Sequence, residues 1–185
     1  MTGLFFDATG DDASRRRLLW AMPTGIYLLG STQGAGGPYN LMTHSLVVQA
    51  AVEPCVLAAA VERGARTHAF LEAAGVAPLS VLRRDQRAIV RRFVKPVDDV
   101  TVQDGLPVAM AGVDVAVAPS GAPYVLDAAG CLDLRVVDRV EFTSHTLFCL
   151  EVTGVAASAS VLEGTASARI AEILRMEDTK MSYGG

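Results

Sequence analysis

Apolar residues fall in short runs along this chain, and glycine, proline or charged residues separate each run from the next. Residues 24–31 predict a first strand, and a glycine-rich loop follows at 33–38. The runs at 42–50 and 55–61 are apolar enough to be central strands, and the Glu-Pro pair at 53–54 predicts the turn between them. This part of the chain therefore predicts consecutive buried strands.

A helix is expected near the N-terminus. Residues 11–22 begin with acidic side chains, which favour a helix N-terminus, and they end before Pro23. Leu18, Leu19 and Met22 have the spacing of one helix face. We expect that face to pack against the rest of the protein.

Two further short helices flank a strand in the middle of the chain. Residues 66–74 predict a helix that Gly75 closes, because glycine readily adopts the left-handed conformation found at helix C-termini. Residues 79–82 predict a strand. Residues 85–93 predict a second helix, and its arginines are expected to be solvated.

The second half of the chain predicts short strands with glycine and proline between them, at 113–118, 124–126, 132–140 and 146–155. A last helix is expected at 166–175. Strands at this spacing, with only short helices between them, favour a small closed barrel over a doubly wound sheet. The predicted fold class is mainly β with peripheral helices.

Composition narrows the classes of function. A chain of 185 residues is long enough for one domain with a real core. No apolar run reaches the roughly 18 residues of a membrane span, and the first residues lack the pattern of a secretory signal. The net charge of −4 argues against a nucleic-acid partner, and three dispersed cysteines are typical of reduced thiols. We expect a cytoplasmic protein without membrane or nucleic-acid partners.

The residues around position 65 predict an anion site. The strand at 55–61 runs into Arg63, Gly64, Arg66 and Thr67, where a helix begins. A helix N-terminus offers unpaired N–H donors and a partial positive charge, which suit a phosphate. An arginine could add a charged partner, while Thr67 could cap the helix or bind the anion.

Other catalytic or metal-binding patterns are weak. The chain contains no Gly-x-Ser-x-Gly motif, so a serine hydrolase is poorly supported. His44, His68 and His145 are the only histidines, and their spacing matches no common metal motif. We therefore predict no metal site.

The order of these segments resembles the flavin reductase-like family. Asn40 precedes a Met-Thr-x-Ser strand, a Glu-Pro pair leads into the next strand, and an Arg-Thr turn follows. Later, 133–137 is similar to the family's Glu-Cys-x-Val strand, and 144–152 to its Gly-Asp-His-x-Leu-Phe-x-Gly-Glu-Val. The match spans about 18–155 of a single domain, 1–185. The resemblance implies an FMN-binding split β-barrel, which is a Greek-key antiparallel barrel.

The resemblance also implies which residues bind the flavin. The implied cofactor-binding residues are Asn40, Thr43, His44, Ser45, Arg66, Thr67 and Ser80. His145 and His44 are implied to border the ring and the hydride donor, as the catalytic pair. The chain departs from the family pattern at Ser80, where asparagine is usual, and at His44, where small residues are common. Ser144 replaces the acidic residue that precedes His145, which removes a partner for the imidazole.

The resemblance implies an NAD(P)H:flavin reductase that works as a homodimer and supplies reduced FMN or FAD to a separate monooxygenase. NADH and NADPH both remain open as donors. Hydride transfer requires mainly a ring stack at the correct distance, so the lack of an acid–base motif is compatible with it. One alternative is a flavoprotein that holds FMN tightly and transfers electrons or acts on an organic substrate without NAD(P)H. Another is a non-catalytic flavin or haem carrier.

Overall fold

The computed structural model describes residues 12–181. The strands are β1 (Tyr27–Thr32), β2 (Tyr39–His44), β3 (Val47–Ala51), β4 (Val56–Glu62), β5 (Leu79–Val81), β6 (Val100–Gln103), β7 (Leu106–Met110), β8 (Val113–Val117), β9 (Pro123–Val125), β10 (Gly130–Glu141) and β11 (His145–Ala157). The helices are α1 (Asp12–Trp20), α2 (Arg66–Ala74), α3 (Arg87–Val90), α4 (Ala159–Glu163), α5 (Ala166–Glu172) and α6 (Met176–Thr179). Within this range, every helix is too short or too polar to cross a membrane.

The larger sheet closes into a barrel. Its seven strands follow the order β2-β1-β5-β10-β11-β4-β3, and every neighbouring pair is antiparallel. A flat sheet of this order would separate its outer strands by about 29 Å at roughly 4.8 Å per strand. Only Ser45 and Leu46 separate β2 from β3, and such a connection spans at most about 11 Å. The sheet must therefore curl until its ends meet, and the predicted fold class is confirmed.

The prediction of one continuous strand at 42–50 was wrong. The chain leaves β2 at His44 and re-enters the sheet as β3 at Val47, which pairs with β4 instead of β1. Between them, the carbonyl of Leu46 accepts a hydrogen bond from the Ala60 N–H at 3.0 Å. Barrel closure requires this break, and the apolar pattern carries no sign of it.

A second sheet of four strands, β6-β7-β8-β9, packs beside the barrel. The sequence analysis did not predict β6 and β7 as strands, although Asp104-Gly105 between them is a typical hairpin turn. Both residues have positive φ, 51° and 79°, as such a turn requires. The helix expected at 85–93 is α3 alone, flanked by 3₁₀ turns at Arg84–Gln86 and Arg91–Phe93.

The predictions for the first and last long helices differ from the structure in part. The helix expected at 166–175 ends at Glu172, and Arg175 instead forms a bridge with Gly25.

α1 begins and ends close to the predicted bounds. Its expected packing face, however, is exposed, since Leu18 and Met22 keep 73% and 57% of their surface in solvent. No element within residues 12–181 covers that face, so the expectation that it packs within the chain was wrong.

Two apolar clusters stabilise the fold. One fills the barrel under α2, and its buried members are Leu29, Leu57, Ala59, Val61, Leu71, Ala77, Leu79, Leu134, Phe148 and Leu150. The other joins β1 and β2 to the second sheet and to the α3 region. β2 lies between them: Leu41 belongs to the second cluster, while Met42 packs on the first. The alternation of its side chains therefore points Asn40, Met42 and His44 to the α2 side.

Candidate functional site

The N-terminus of α2 has backbone donors that no side chain caps. The helix follows β4 after a three-residue loop and begins at Arg66. Its N-cap residue, Ala65, has extended backbone angles and no side-chain acceptor for the first-turn amides. The C-terminus is closed as predicted by Gly75, with φ 67° and its N–H bonded to the Leu71 carbonyl. The donors at the N-terminus are thus available to an anion.

A cavity of about 290 Å³ lies at this end of the helix. Its lining comes from β2 (residues 40–42), from the end of β4 and the start of α2 (62 and 64–67), and from the segment 93–96. This size suits a phosphate together with the polar chain attached to it, and a complete ring system would extend beyond it.

A side-chain hydrogen bond fixes the start of α2 on β2. Asn40 Nδ2 donates to Thr67 Oγ1 at 2.8 Å, and both residues are buried. Because the Thr67 hydroxyl accepts this bond, its own hydrogen can be donated to a ligand. Thr67 is not the helix cap, since Ala65 holds that position. Asn40 and Thr67, both predicted site residues, therefore meet at the cavity.

Two cations border the cavity. Arg66 Nη1 lies 2.8 Å from Asp98 Oδ1 and donates to the Val97 carbonyl at 3.1 Å. Lys95 also lines the cavity and is exposed. Sequence reasoning missed Lys95, because nothing in its local sequence distinguishes it from the solvated arginines of the preceding helix. These two cationic groups lie at the cavity beside two acidic ones, since Asp98 pairs with Arg66 and Glu62 also belongs to the lining.

Three buried polar atoms on one face of the β1–β2 ladder have no hydrogen-bond partner within residues 12–181: Ser31 Oγ, Asn40 Oδ1 and His44 Nε2. Ser31 and Asn40 are directly paired across the strands, and His44 follows Asn40 on the same face. Buried polar atoms in proteins are normally paired, and each unpaired one costs about 1–3 kcal/mol. This face therefore fits a polar ligand better than it fits a packed core.

The predicted catalytic histidines are neighbours at the same end of the barrel. His44 is 2% exposed. Burial lowers its pKa to about 4 against an opposing hydrogen bond with the Leu46 backbone, and the charge of His145 adds to the lowering. His145 starts β11 opposite Glu62, a residue of the cavity lining, and its Nδ1 lies 2.9 Å from Ser144 Oγ. His44 is therefore a neutral imidazole at pH 7.

The remaining predicted residues lie away from the cavity. Thr43 Oγ1 donates to the Val90 carbonyl at 2.6 Å, on the face of β2 opposite to His44. Ser80 Oγ accepts the Val125 N–H at 3.0 Å and so attaches β9 to β5. Ser45 is buried in the break between β2 and β3. Among residues 12–181, no group of three or more His, Cys, Asp or Glu side chains is placed to hold a metal ion.

Replacing Ser80 with alanine is expected to lower the free energy of unfolding by about 1–3 kcal/mol and to leave the affinity for the flavin that the resemblance implies within about twofold. The substitution leaves the Val125 N–H buried without an acceptor. Urea unfolding measures the first quantity and fluorescence titration with FMN the second. A large loss of affinity with unchanged stability would instead make Ser80 a flavin ligand.

Acid is expected to destabilise the protein through His44. The pKa of this imidazole is about 4 in the folded chain and about 6.5 when unfolded. The contribution of this group to the free energy of unfolding is complete above pH 6.5. It falls as the pH drops towards 4, because only the unfolded state then binds the proton. At pH 5 the free energy of unfolding is expected to be about 2 kcal/mol lower than at neutral pH through this group alone. Urea midpoints between pH 7.5 and pH 4.5 should show a steeper fall in the wild type than in His44→Asn, and equal slopes would contradict this origin.

Comparison with known proteins gives one family. A family model described as the flavin reductase like domain matches residues 19–169. The stachydrine N-demethylase reductase subunit Stc3 of Rhizobium meliloti (strain 1021) is 26% identical over 159 residues, which are 86% of this chain and 64% of that protein. This chain thus spans less than two thirds of the length of that relative.

Solved structures share the fold. The NADH:FAD oxidoreductase SgcE6 of Streptomyces globisporus C-1027 has a TM-score of 0.67 at 23% identity, over 85% of this chain and 84% of that chain. The styrene monooxygenase flavin reductase SMOB of Pseudomonas putida S12 has a TM-score of 0.65 at 20% identity, over 80% of this chain and 88% of that chain. At these identities the likeness establishes the barrel, and the chemistry has to be argued from the site.

Proposed function

We propose, since this chain belongs to the flavin reductase-like domain family, that it binds FMN or FAD and reduces it with NADH or NADPH for use by a separate monooxygenase. The observation that carries this proposal is the uncapped N-terminus of α2, which opens on a cavity bordered by Arg66 and Lys95. Helix amides and two cations suit the phosphate that FMN and FAD carry and riboflavin lacks.

The chain would hold the flavin with residues from three segments. The first amides of α2, Arg66, Lys95 and the Thr67 hydroxyl would bind phosphate, while Asn40 would face the ribityl chain. Ser31 lies opposite Asn40 on the same polar face. Thr43 and Ser80 enter the proposal as residues that hold the strands of the site in place, because neither lines the cavity and their hydroxyls bond backbone groups of other segments.

The two histidines would border the ring and the nicotinamide. A bound flavin supplies the redox chemistry, since its ring accepts a hydride equivalent from a reduced nicotinamide. The protein's part is to place and orient the two molecules and to exclude water. His44, neutral at pH 7, offers an uncharged hydrogen-bonding edge. The expectation that Ser144 removes a partner for His145 was wrong, because Ser144 Oγ lies 2.9 Å from His145 Nδ1 and so would help to orient the ring.

The proposal includes a second copy of this chain and a monooxygenase partner. Apolar side chains that are exposed along the single chain support self-association: Val48, Val52, Val137, Val140 and Phe142. The names of two similar proteins, a demethylase reductase subunit and a styrene monooxygenase flavin reductase, support transfer of reduced flavin to an oxygenase. The proposed location is the cytoplasm, which suits the three free cysteines.

Purified protein tests the proposal directly. Its visible spectrum is recorded, and NADH or NADPH is then added anaerobically, with and without free FMN or FAD. Oxidation of the nucleotide together with bleaching of the added flavin over many turnovers is the expected result. A yellow protein that neither nucleotide reduces would instead indicate a flavoprotein with another electron donor. A Soret band, or a protein that binds no flavin, would overturn the proposal.

A further inference from the structure

A buried hydrogen bond joins α2 to β11 behind the proposed site. His68 Nε2 and Thr146 Oγ1 lie 2.8 Å apart, and both residues are buried. The imidazole edge packs on the Phe148 ring, with centroids 5.4 Å apart at 65°. His68 lies two residues after Arg66 at the phosphate end of α2, and Thr146 directly follows His145. The bond therefore connects the two ends of the proposed site through a very short stretch of chain.

The second nitrogen of His68 continues this connection. His68 Nδ1 lies 3.6 Å from Glu72 Oε2, and Glu72 Oε1 lies 3.3 Å from Arg139 Nη1 on β10. Because a carboxylate faces Nδ1, the proton of the neutral ring is favoured there, which leaves Nε2 to accept the Thr146 hydroxyl proton. The ring thus has a hydrogen-bonding partner at Nε2 and a carboxylate near Nδ1.

The loop before α2 is also attached to the start of β11. The Arg63 N–H donates to the Ser144 carbonyl at 3.0 Å, and Arg63 Nη2 lies 3.6 Å from Glu141 Oε2. The side chains of this ion pair are about half exposed, so solvent and salt weaken it. The His68–Thr146 bond is shielded from solvent and is the stronger candidate for a rigid attachment.

We propose that His68 and Thr146 are a positioning pair, which sets the separation between the phosphate-binding N-terminus of α2 and His145 on β11. This inference rests on the proposed function, because it assigns those two ends to one ligand. Neither side chain lines the cavity at the N-terminus of α2. Loss of the bond would let the start of β11 shift relative to α2, so that phosphate binding survives while His145 is misplaced.

The decisive variant is Thr146→Val, which keeps the shape of the side chain and removes its hydroxyl. The matched control is Thr153→Val on the same strand, whose hydroxyl donates to the Asp133 carbonyl far from the site. We expect Thr146→Val to leave the Kd for FMN within about threefold and to lower kcat about tenfold. Thr153→Val should change neither quantity by more than about twofold.

A second pair of variants separates positioning from general damage. His68→Gln keeps an acceptor that can reach the Thr146 hydroxyl, whereas His68→Leu does not. We expect the glutamine variant to retain most of the kcat and the leucine variant to lose it. In protein without flavin, the NMR signals of the His145 ring should move in Thr146→Val and stay in place in Thr153→Val.

The outcomes distinguish this inference from the proposed function. Equal behaviour of Thr146→Val and Thr153→Val in kcat and in the His145 signals would overturn the positioning pair, even if the wild type reduces flavin. Equal loss in His68→Gln and His68→Leu would overturn it too. A wild type that neither binds nor reduces flavin would refute the proposed function, and the His145 signals of the flavin-free variants would still report on the pair.

Discussion

Replacing Arg66 and Lys95 together with alanine is expected to raise the Kd for FMN about 100-fold and to leave the Kd for riboflavin within about threefold. Both cations border the cavity at the start of α2. A charge-assisted hydrogen bond contributes about 1.5–3 kcal/mol. Because Arg66 divides its donors between the ligand and Asp98, we expect the two substitutions together to remove about 3 kcal/mol of binding free energy. That free energy corresponds to roughly 100-fold in affinity.

The comparison of FMN with riboflavin isolates the phosphate, because the two ligands share the ring and the ribityl chain. Quenching of flavin fluorescence measures both constants under the same conditions. Arg87→Ala/Arg91→Ala is the matched control, since it removes the same charge from exposed positions outside the cavity. Its Kd for FMN should stay within about twofold at physiological ionic strength. An equal loss for FMN and riboflavin in the cavity variant would show that these cations do not bind phosphate.

The site illustrates which features a sequence reveals. The start of α2 could be predicted because helix initiation and closure at Gly75 depend on a few adjacent residues. The resemblance implied that Asn40 and Thr67 belong to one site, and the structure adds the direct hydrogen bond between their side chains. Lys95 was missed because its position at the cavity depends on the path of the chain after Phe93. The uses of the hydroxyls of Thr43 and Ser80 likewise depend on distant backbone groups.

The fold shows the same division between local and global causes. The strands β4, β8 and β11 lie within about two residues of their predicted bounds, since each is a continuous apolar or alternating run. The break after His44 has a global cause, because it exists only where the barrel closes on itself. The exposed face of α1 also has a global origin, since periodicity predicts an apolar face and cannot name the surface that covers it.

Replacing Gly30 with alanine is expected to lower the free energy of unfolding by at least about 3 kcal/mol. Gly30 lies in β1, where β9 crosses close to the barrel, and its N–H donates to the Pro78 carbonyl at 2.7 Å. A Cβ added there would lie 1.8 Å from the Pro123 carbonyl oxygen. The obstacle is backbone, so no side-chain rotation can relieve it, and β9 would have to move away from β1.

Gly34→Ala is the matched control, because it adds the same methyl group where no atom lies within 4 Å. Its effect should stay within about 0.5 kcal/mol. Urea unfolding of the two variants and the wild type gives both values, and equal m-values would show that the same structure is being unfolded. The free energy of unfolding of such domains is only about 5–15 kcal/mol, so Gly30→Ala is expected to remove a large share of it. A Gly30→Ala protein as stable as Gly34→Ala would mean that β1 and β9 can separate at little cost, and the close crossing would then not be needed to hold the second sheet on the barrel.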